Sequence, residues 1–282
     1  MITLIAEIGL AHEQDRDVID LIISKAKEAG FDAIKLQYFT AENLEPPGAD
    51  REFIAKYETP LCLIEYTADH AHAAGLKFGV SLFNLADAVD YKGSPCWDKT
   101  DFLKLPSGQA DNLPLVRFVA DESTHDVVIS TGMSRYTDVA TAAKMISHNR
   151  TNGQISILHA VSSYPNLPGD MDMSAIRSVS MIADSYACTM NYGWSAHTRE
   201  TEPFAMAVAL GVQVIEVHVC SISYKGPDWE VSWQDWQLPG FADMIRTLER
   251  CMGSSTLAPR LCELPAISAK TRREIWRSTR GQ

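Results

Sequence analysis

The chain is 282 residues long, with 46% hydrophobic residues, 22% charged residues and a formal charge of −11. Such a composition belongs to a globular protein able to bury a sizeable core. The acidic balance argues against a nucleic-acid partner held by bulk electrostatics, and no run approaches the roughly 20 apolar residues of a membrane helix. Neither nucleic acid nor membrane is therefore expected as a partner. The opening stretch MITLIAEIG lacks the pattern of a secretory leader. The six cysteines (Cys62, Cys96, Cys188, Cys220, Cys251 and Cys262) show no C-x-x-C pair. They read as free thiols of a cytoplasmic protein.

In chain order, the first predicted strand is TLIAEIG, followed by an amphipathic helix from about Asp15 to Ala29 that closes at Gly30. AIKLQ is the second strand, and the helix LCLIEYTADHAHAAG closes at Gly75. KFGVSLF precedes a helix beginning at Leu85, and FLKLPS precedes the helix LPLVRFVADES. DVVIST pairs with YTDVATAAKMISHN, and ISILHAVS with a helix starting near Asp172. NYGWSAH with ETEPFAMAVALG, and VIEVHV with a helix over Phe241 to Cys251, complete the series.

Strict alternation of strand and helix implies parallel strands joined by right-handed crossovers. Eight such units in about 250 residues match a TIM barrel. The expected fold class is α/β, a (β/α)8 TIM barrel formed as a single domain over residues 1–255, with a basic tail over 256–282. An open doubly wound sheet competes with it. However, EIGLAHEQ carries one glycine where a dinucleotide fold needs G-x-G-x-x-G. Between Arg260 and Gln282 six basic residues face two glutamates, so the tail suits either an acidic surface or plain solvation.

In a TIM barrel, polar residues at the C-terminal ends of strands face the active site. The eight predicted ends supply Glu7 with His12 beyond it, Lys35 and Gln37, Ser81 and Asn84, and Lys104 and Ser107 with Gln109 following. They continue with Ser130 and Thr131, then His159, Ser162, Ser163 and Tyr164, then Ser195 and His197, then Glu216 and His218 with Asp228 beyond. Two lysines inside apolar strands need a partner, because a buried lysine is almost always paired. Either each reaches a barrel carboxylate such as Glu7 or Glu216, or the two form a cationic pocket for phosphate or carboxylate, helped by Ser107, Ser130 and Ser195. His197 and His218 lie on adjacent strands. They read either as two ligands of a divalent ion or as packed, hydrogen-bonded imidazoles. Trp194 and Trp229 stand close enough to these segments to shape a pocket.

Taken together, the ordered motifs resemble the N-acetylneuraminate (sialic acid) synthase family, including legionaminate and pseudaminate synthases. IAEIGLAH, AIKLQYF, FLKLPSGQADNLPLV, VVISTGMS, LHAVSSYP, GWSAHT, VIEVHV and GPDW follow that family's order from Leu4 to Asp228. The resemblance implies condensation of phosphoenolpyruvate with an amino-sugar aldehyde by a homodimer, aided by a divalent metal (Mn2+ or Mg2+). It puts His197 and His218 at metal-ligand positions. Lys35, Lys104, Ser81, Ser107, Ser130 and Ser195 stand where the family binds phosphoenolpyruvate, and Ser162 is a further substrate-binding candidate. Glu7, Gln37, Tyr164 and Asp228 stand where it holds or acts on the sugar.

The sequence also departs from the family pattern. Gln109 replaces a glutamate at a position expected to be catalytic, which turns an acid or base into an amide. Ala11, Leu82, Ala196 and Val217 replace an asparagine, a proline, an aspartate and a lysine. The small antifreeze-like domain that usually follows the barrel is not expected within these residues; Arg272, Arg273, Arg277 and Arg280 of the tail are candidates to take its arginine's place across a dimer. The departures suggest a different aldehyde or weakened activity. A sugar-phosphate substrate, or a non-catalytic barrel for metabolite binding or assembly, is the alternative reading.

Overall fold

In the computed structural model of the protein, residues 1–44, 50–148, 153–186 and 190–269 are described. The first units are β1 (Thr3–Gly9), α1 (Arg16–Ala29), β2 (Ala33–Tyr38), the short α2 (Ala41–Leu44) and α3 (Arg51–Ala55), α4 (Leu61–Ala73) and β3 (Lys77–Leu82). Then come α5 (Leu85–Lys92), β4 (Phe102–Leu105), α6 (Leu113–Glu122), β5 (Asp126–Ser130), α7 (Tyr136–His148) and β6 (Ile155–His159). The last are α8 (Ile176–Asp184), β7 (Met190–Ala196), α9 (Glu202–Ala209), β8 (Val214–Cys220), the two-residue β9 (Trp233–Gln234) and α10 (Leu238–Met252).

Strands β1 to β8 pair in sequence order, all parallel, and β1 also pairs with β8. The sheet is thus a closed barrel, and the expected (β/α)8 architecture is present. The open doubly wound alternative is excluded by the β1–β8 pairing. The short α2 and α3 and the strand β9 were not expected. The helix expected near Asp172 begins with a single turn at Met173–Ala175 before α8.

Local chemistry explains the element ends. Asp15 caps α1 by accepting from the Asp17 backbone N–H at 2.8 Å, and Gly30 closes it at φ 85°, a left-handed conformation that costs glycine little. Asn112 caps α6 and Asn84 caps α5. Buried Asp87 accepts from Thr40 Oγ1 at 2.9 Å and Asn43 Nδ2 at 2.8 Å, which ties the segment after β2 to α5.

The core has two parts. The larger packs the helices against the outside of the barrel. The smaller lies within the barrel, where Ile5, Ala33, Phe102, Val128, Leu158 and Val214 form an apolar plug. Two glycines make room for it. A Cβ on Gly79 would fall 2.2 Å from the Phe102 ring, and one on Gly193 would fall 2.1 Å from the Val214 carbonyl oxygen.

Register carries the polar strand ends onto one level above the plug. Glu7 stands beside Lys35 and beside His218, Gln37 beside Ser81, Ser81 beside Lys104, and Ser195 beside Glu216. Met1–Glu249 form one compact unit, and a second begins at Arg250. The tail arginines Arg272, Arg273, Arg277 and Arg280 lie outside the described residues, as does Cys188. The other five cysteines are free thiols. Among the described residues no helix is long and apolar enough to cross a membrane.

Candidate active site

A cavity of about 230 Å³ opens at the C-terminal mouth of the barrel. Every residue that the family resemblance puts at a metal, substrate or catalytic position lines it except Gln109. Gln109 sits in the loop before α6 and accepts from Asn112 Nδ2 at 2.8 Å, so its amide serves the loop that caps α6. Phe83, Pro106, Met133 and Glu216 complete the wall; of these only Glu216 carries a strand-end signal in the sequence.

The floor is a network of charged groups. Glu7, Lys35, Lys104 and Glu216 are exposed by only 1%, 3%, 2% and 4%. Lys35 is ion-paired with Glu7 and donates to Ser81 Oγ at 2.7 Å. Glu7 also accepts from Gln37 Nε2 at 2.8 Å. Lys104 donates to both oxygens of Glu216, at 2.8 and 2.9 Å, and Ser195 Oγ donates to Glu216 Oε1 at 2.9 Å. Both buried lysines therefore do reach barrel carboxylates, and the floor is charge-balanced rather than simply cationic. Burial on this scale is tolerable only because each charge is paired.

The buried setting shifts ionisation. Burial pushes the Glu7 carboxyl up, against the pull of the Lys35 charge. Burial lowers the Lys104 ammonium, against the pull of Glu216. Burial also acts to raise Glu216, but Lys104 and Lys35 outweigh it and hold that carboxyl well below the usual range. Asp228, at the rim, is raised by burial.

The two histidines meet here. Their rings lie 5.4 Å apart at 61°. Burial lowers His197 to about 4, and it lowers His218 well below its ordinary value with the help of the His197 charge. Both are neutral imidazoles at neutral pH, the form that binds metals. A carbonyl can only accept, so the 2.7 Å contact from His197 Nδ1 to the Val161 carbonyl places the ring proton on Nδ1. The Nε2 lone pair is then presented to the cavity, where the Tyr164 hydroxyl donates to it at 3.0 Å. His218 Nδ1 is 3.7 Å from Asp228 Oδ2. A backbone acceptor behind a ligand histidine is the usual support of a metal site, so the pair fits two positions of a divalent ion. Among the described residues no group of three or more His, Cys, Asp or Glu could hold such an ion.

On one side of the cavity, Ser107 and Ser162 close around Gly132, whose added Cβ would fall 2.4 Å from each hydroxyl. Ser162 Oγ is buried without a hydrogen-bond partner among the described residues. Other strand-end residues are structural. His159 contacts the Met171 carbonyl at 2.8 Å, Thr131 Oγ1 accepts from the Ala160 N–H at 3.1 Å, and Ser163 donates to the Pro165 carbonyl at 3.1 Å. His12 lies between Thr59 and the Gln14 N–H, away from the cavity. Trp194 packs against Phe204 in the core, and Trp229 sits under Lys225; neither lines the cavity.

Comparisons with known proteins agree with this architecture. An N,N'-diacetyllegionaminic acid synthase from Legionella pneumophila is 28% identical across 96% of this chain and 79% of its own length. The N-acetylneuraminate-9-phosphate synthase of Homo sapiens is 27% identical across 93% of this chain and 74% of its own. The structure of an N-acetylneuraminic acid (sialic acid) synthetase from Leptospira borgpetersenii shares the fold, with a TM-score of 0.82 and 24% identity over 96% of this chain and 91% of that one. The model of the NeuB family matches residues 22–256, and the chain belongs to that family.

Proposed function

We propose that the protein is a carbon–carbon bond-forming synthase that joins phosphoenolpyruvate to the aldehyde of an N-acylated amino sugar. The products are a sialic-acid-like 2-keto acid and inorganic phosphate. The observation that carries this reading is the gathering, in one cavity of a NeuB-family barrel, of two paired lysines, a set of serines and two neutral histidines.

Each ammonium has three N–H donors. Lys104 uses two on Glu216, and Lys35 is engaged by Glu7 and Ser81, so each keeps a donor for the phosphate or carboxylate of phosphoenolpyruvate. Lys35 already donates to Ser81 Oγ, so the Ser81 hydroxyl proton is free for the same anion. Ser107, Ser130, Ser162 and Ser195 surround it. Donors fixed before the reaction stabilise developing charge without reorganisation. Glu7, Gln37, Tyr164 and Asp228 hold the sugar near the mouth. His197 and His218 would hold a divalent ion, Mn2+ or Mg2+, which supplies Lewis-acid polarisation of the aldehyde.

In the reaction, the methylene carbon of phosphoenolpyruvate bonds to the aldehyde carbon, whose oxygen takes a proton and becomes a hydroxyl. Water adds at the former enol carbon, the C–O bond to phosphate breaks, and a ketone remains. Glu7 and Asp228, both raised by burial, stand in the cavity where they can carry those protons. Gln109 takes no direct part. Among the described residues the lining has three carboxyl groups, two lysines and no arginine, which favours an unphosphorylated sugar over a sugar phosphate.

The deciding experiment measures phosphate release from phosphoenolpyruvate with manganese, across N-acylated hexosamines, their phosphates and smaller aldehydes. Aldehyde-dependent release that disappears in the His197→Ala, His218→Ala double variant supports the reading. Silence across the panel in a protein that binds manganese favours a binding-only barrel.

A further inference from the structure

Glu216 is the best-connected side chain of the cavity floor. It projects from β8, while Lys104 projects from β4, four strands away around the closed barrel in either direction. Its two oxygens accept from Lys104 at 2.8 and 2.9 Å, one of them also accepts from Ser195 at 2.9 Å, and the other lies 3.8 Å from Lys35. One carboxylate thus joins opposite walls of the barrel to both ammonium groups of the site.

We propose that Glu216 is a positioning residue with two effects on the anionic substrate; this rests on the functional reading above. The first effect is orientation. A lysine ammonium turns freely about its last bond, so its donors take a fixed direction only where partners hold them. The two-oxygen grip of Glu216 stops that rotation at Lys104 and aims its remaining donor into the cavity. The second effect is attenuation. With Glu7 on Lys35 and Glu216 on Lys104, the lysines carry no surplus charge, so phosphoenolpyruvate and the departing phosphate are held less tightly than two bare ammonium groups would hold them. Glu216 trades affinity for alignment, which favours turnover because only interactions stronger in the transition state raise the rate.

The two effects make opposite predictions for binding and turnover, and a purely structural carboxylate makes neither. Glu216→Gln keeps the shape and one acceptor oxygen, but replaces the other with an amide donor and removes the charge. Dissociation constants for phosphoenolpyruvate, read by calorimetry on the intact chain with and without manganese, should fall about fivefold. The kcat per folded molecule should fall about tenfold or more. Glu216→Asp separates charge from reach: binding should stay within about twofold of wild type while kcat still falls, because the shorter side chain cannot grip Lys104 at both oxygens. The Asp variant also gives the answer if the Gln variant does not fold.

Affinity for phosphoenolpyruvate and kcat per folded molecule that both stay unchanged in either variant would overturn the proposal, as would weaker binding with kcat intact. A wild-type protein that binds no phosphoenolpyruvate at all would instead remove the functional reading on which it rests.

Discussion

Tyr164 lies nearly flat on His197, with ring centroids 4.1 Å apart and an interplanar angle of 27°, and its hydroxyl donates to His197 Nε2 at 3.0 Å. The same nitrogen is the one available to a metal, so the tyrosine hydroxyl and the ion compete for one lone pair. Tyr164→Phe keeps the ring and removes the competitor. Manganese affinity, measured by calorimetry, should hold or rise, while the KM for the aldehyde rises if Tyr164 holds the sugar as proposed. Stability should change by no more than about 1 kcal/mol. Manganese affinity that collapses in this variant would mean that the hydroxyl supports the ion instead of competing with it.

Removing both imidazoles is the complementary test. Manganese should raise the melting temperature of the wild-type protein, and His197→Ala with His218→Ala should abolish that rise, whether or not any aldehyde is present. An undiminished manganese shift would place the ion elsewhere.

Acid sensitivity follows from His12. The Gln14 backbone N–H donates to His12 Nδ1 at 3.0 Å, so the neutral ring carries its proton on Nε2 and gives it to Thr59. Protonating Nδ1 sets two donors against each other. Burial lowers the His12 pKa below its ordinary value of 6.5. Below about pH 6.5 the unfolded chain therefore takes up a proton that the folded chain refuses. The stability contributed by neutral His12 is complete above that pH and declines as pH falls toward the folded-state value. As pH falls below 6.5, the melting temperature should drop more steeply in wild type than in His12→Asn. Equal slopes would remove His12 from the explanation.

Gln109 provides a negative prediction. Its side-chain oxygen accepts from Asn112, and it lies outside the cavity. Gln109→Ala should leave kcat and both KM values within about twofold and cost about 1 kcal/mol of stability. A hundredfold loss of kcat would bring this side chain back into the chemistry.

Gly193→Ala tests the interior of the barrel. The new methyl would fall 2.1 Å from the Val214 carbonyl oxygen and 2.7 Å from Leu158 Cδ2, so either two strands separate or the plug shifts. Urea unfolding should show a loss of about 1–3 kcal/mol or more. An unchanged midpoint would mean that the β7–β8 contact yields easily.

Much of this architecture is legible in the amino-acid sequence because parallel strands covered on both faces must be short and apolar. A lysine in AIKLQ or a glutamate in VIEVHV therefore stands out as an exception that needs a reason. Period-two alternation then puts Lys35 with Gln37, and Glu216 with His218, on one face of their strands. What the sequence hides is which exceptions meet. Lys104 and Glu216 are 112 residues apart and become partners only when β8 closes against β1. Gln109 is misleading for a related reason. It follows a strand end, but loop residues keep no period, and Gly108 at φ 79° turns the backbone just before it. His159 ends a strand as His197 nearly does, yet its side chain leaves the barrel toward the Met171 carbonyl.

The plug formed by Ile5, Ala33, Phe102, Val128, Leu158 and Val214 has a kinetic consequence. A second cavity of about 290 Å³ lies at the opposite end of the barrel and shares no lining residue with the site. The reaction chamber is therefore a cup with one opening. In the proposed reaction the small anion seats at the bottom, against Lys35 and Lys104, and the sugar covers it. Phosphoenolpyruvate must then enter before the aldehyde, and a product sugar still at the rim holds phosphate beneath it. Steady-state inhibition patterns should show this compulsory order, imposed by six apolar side chains that never touch a substrate.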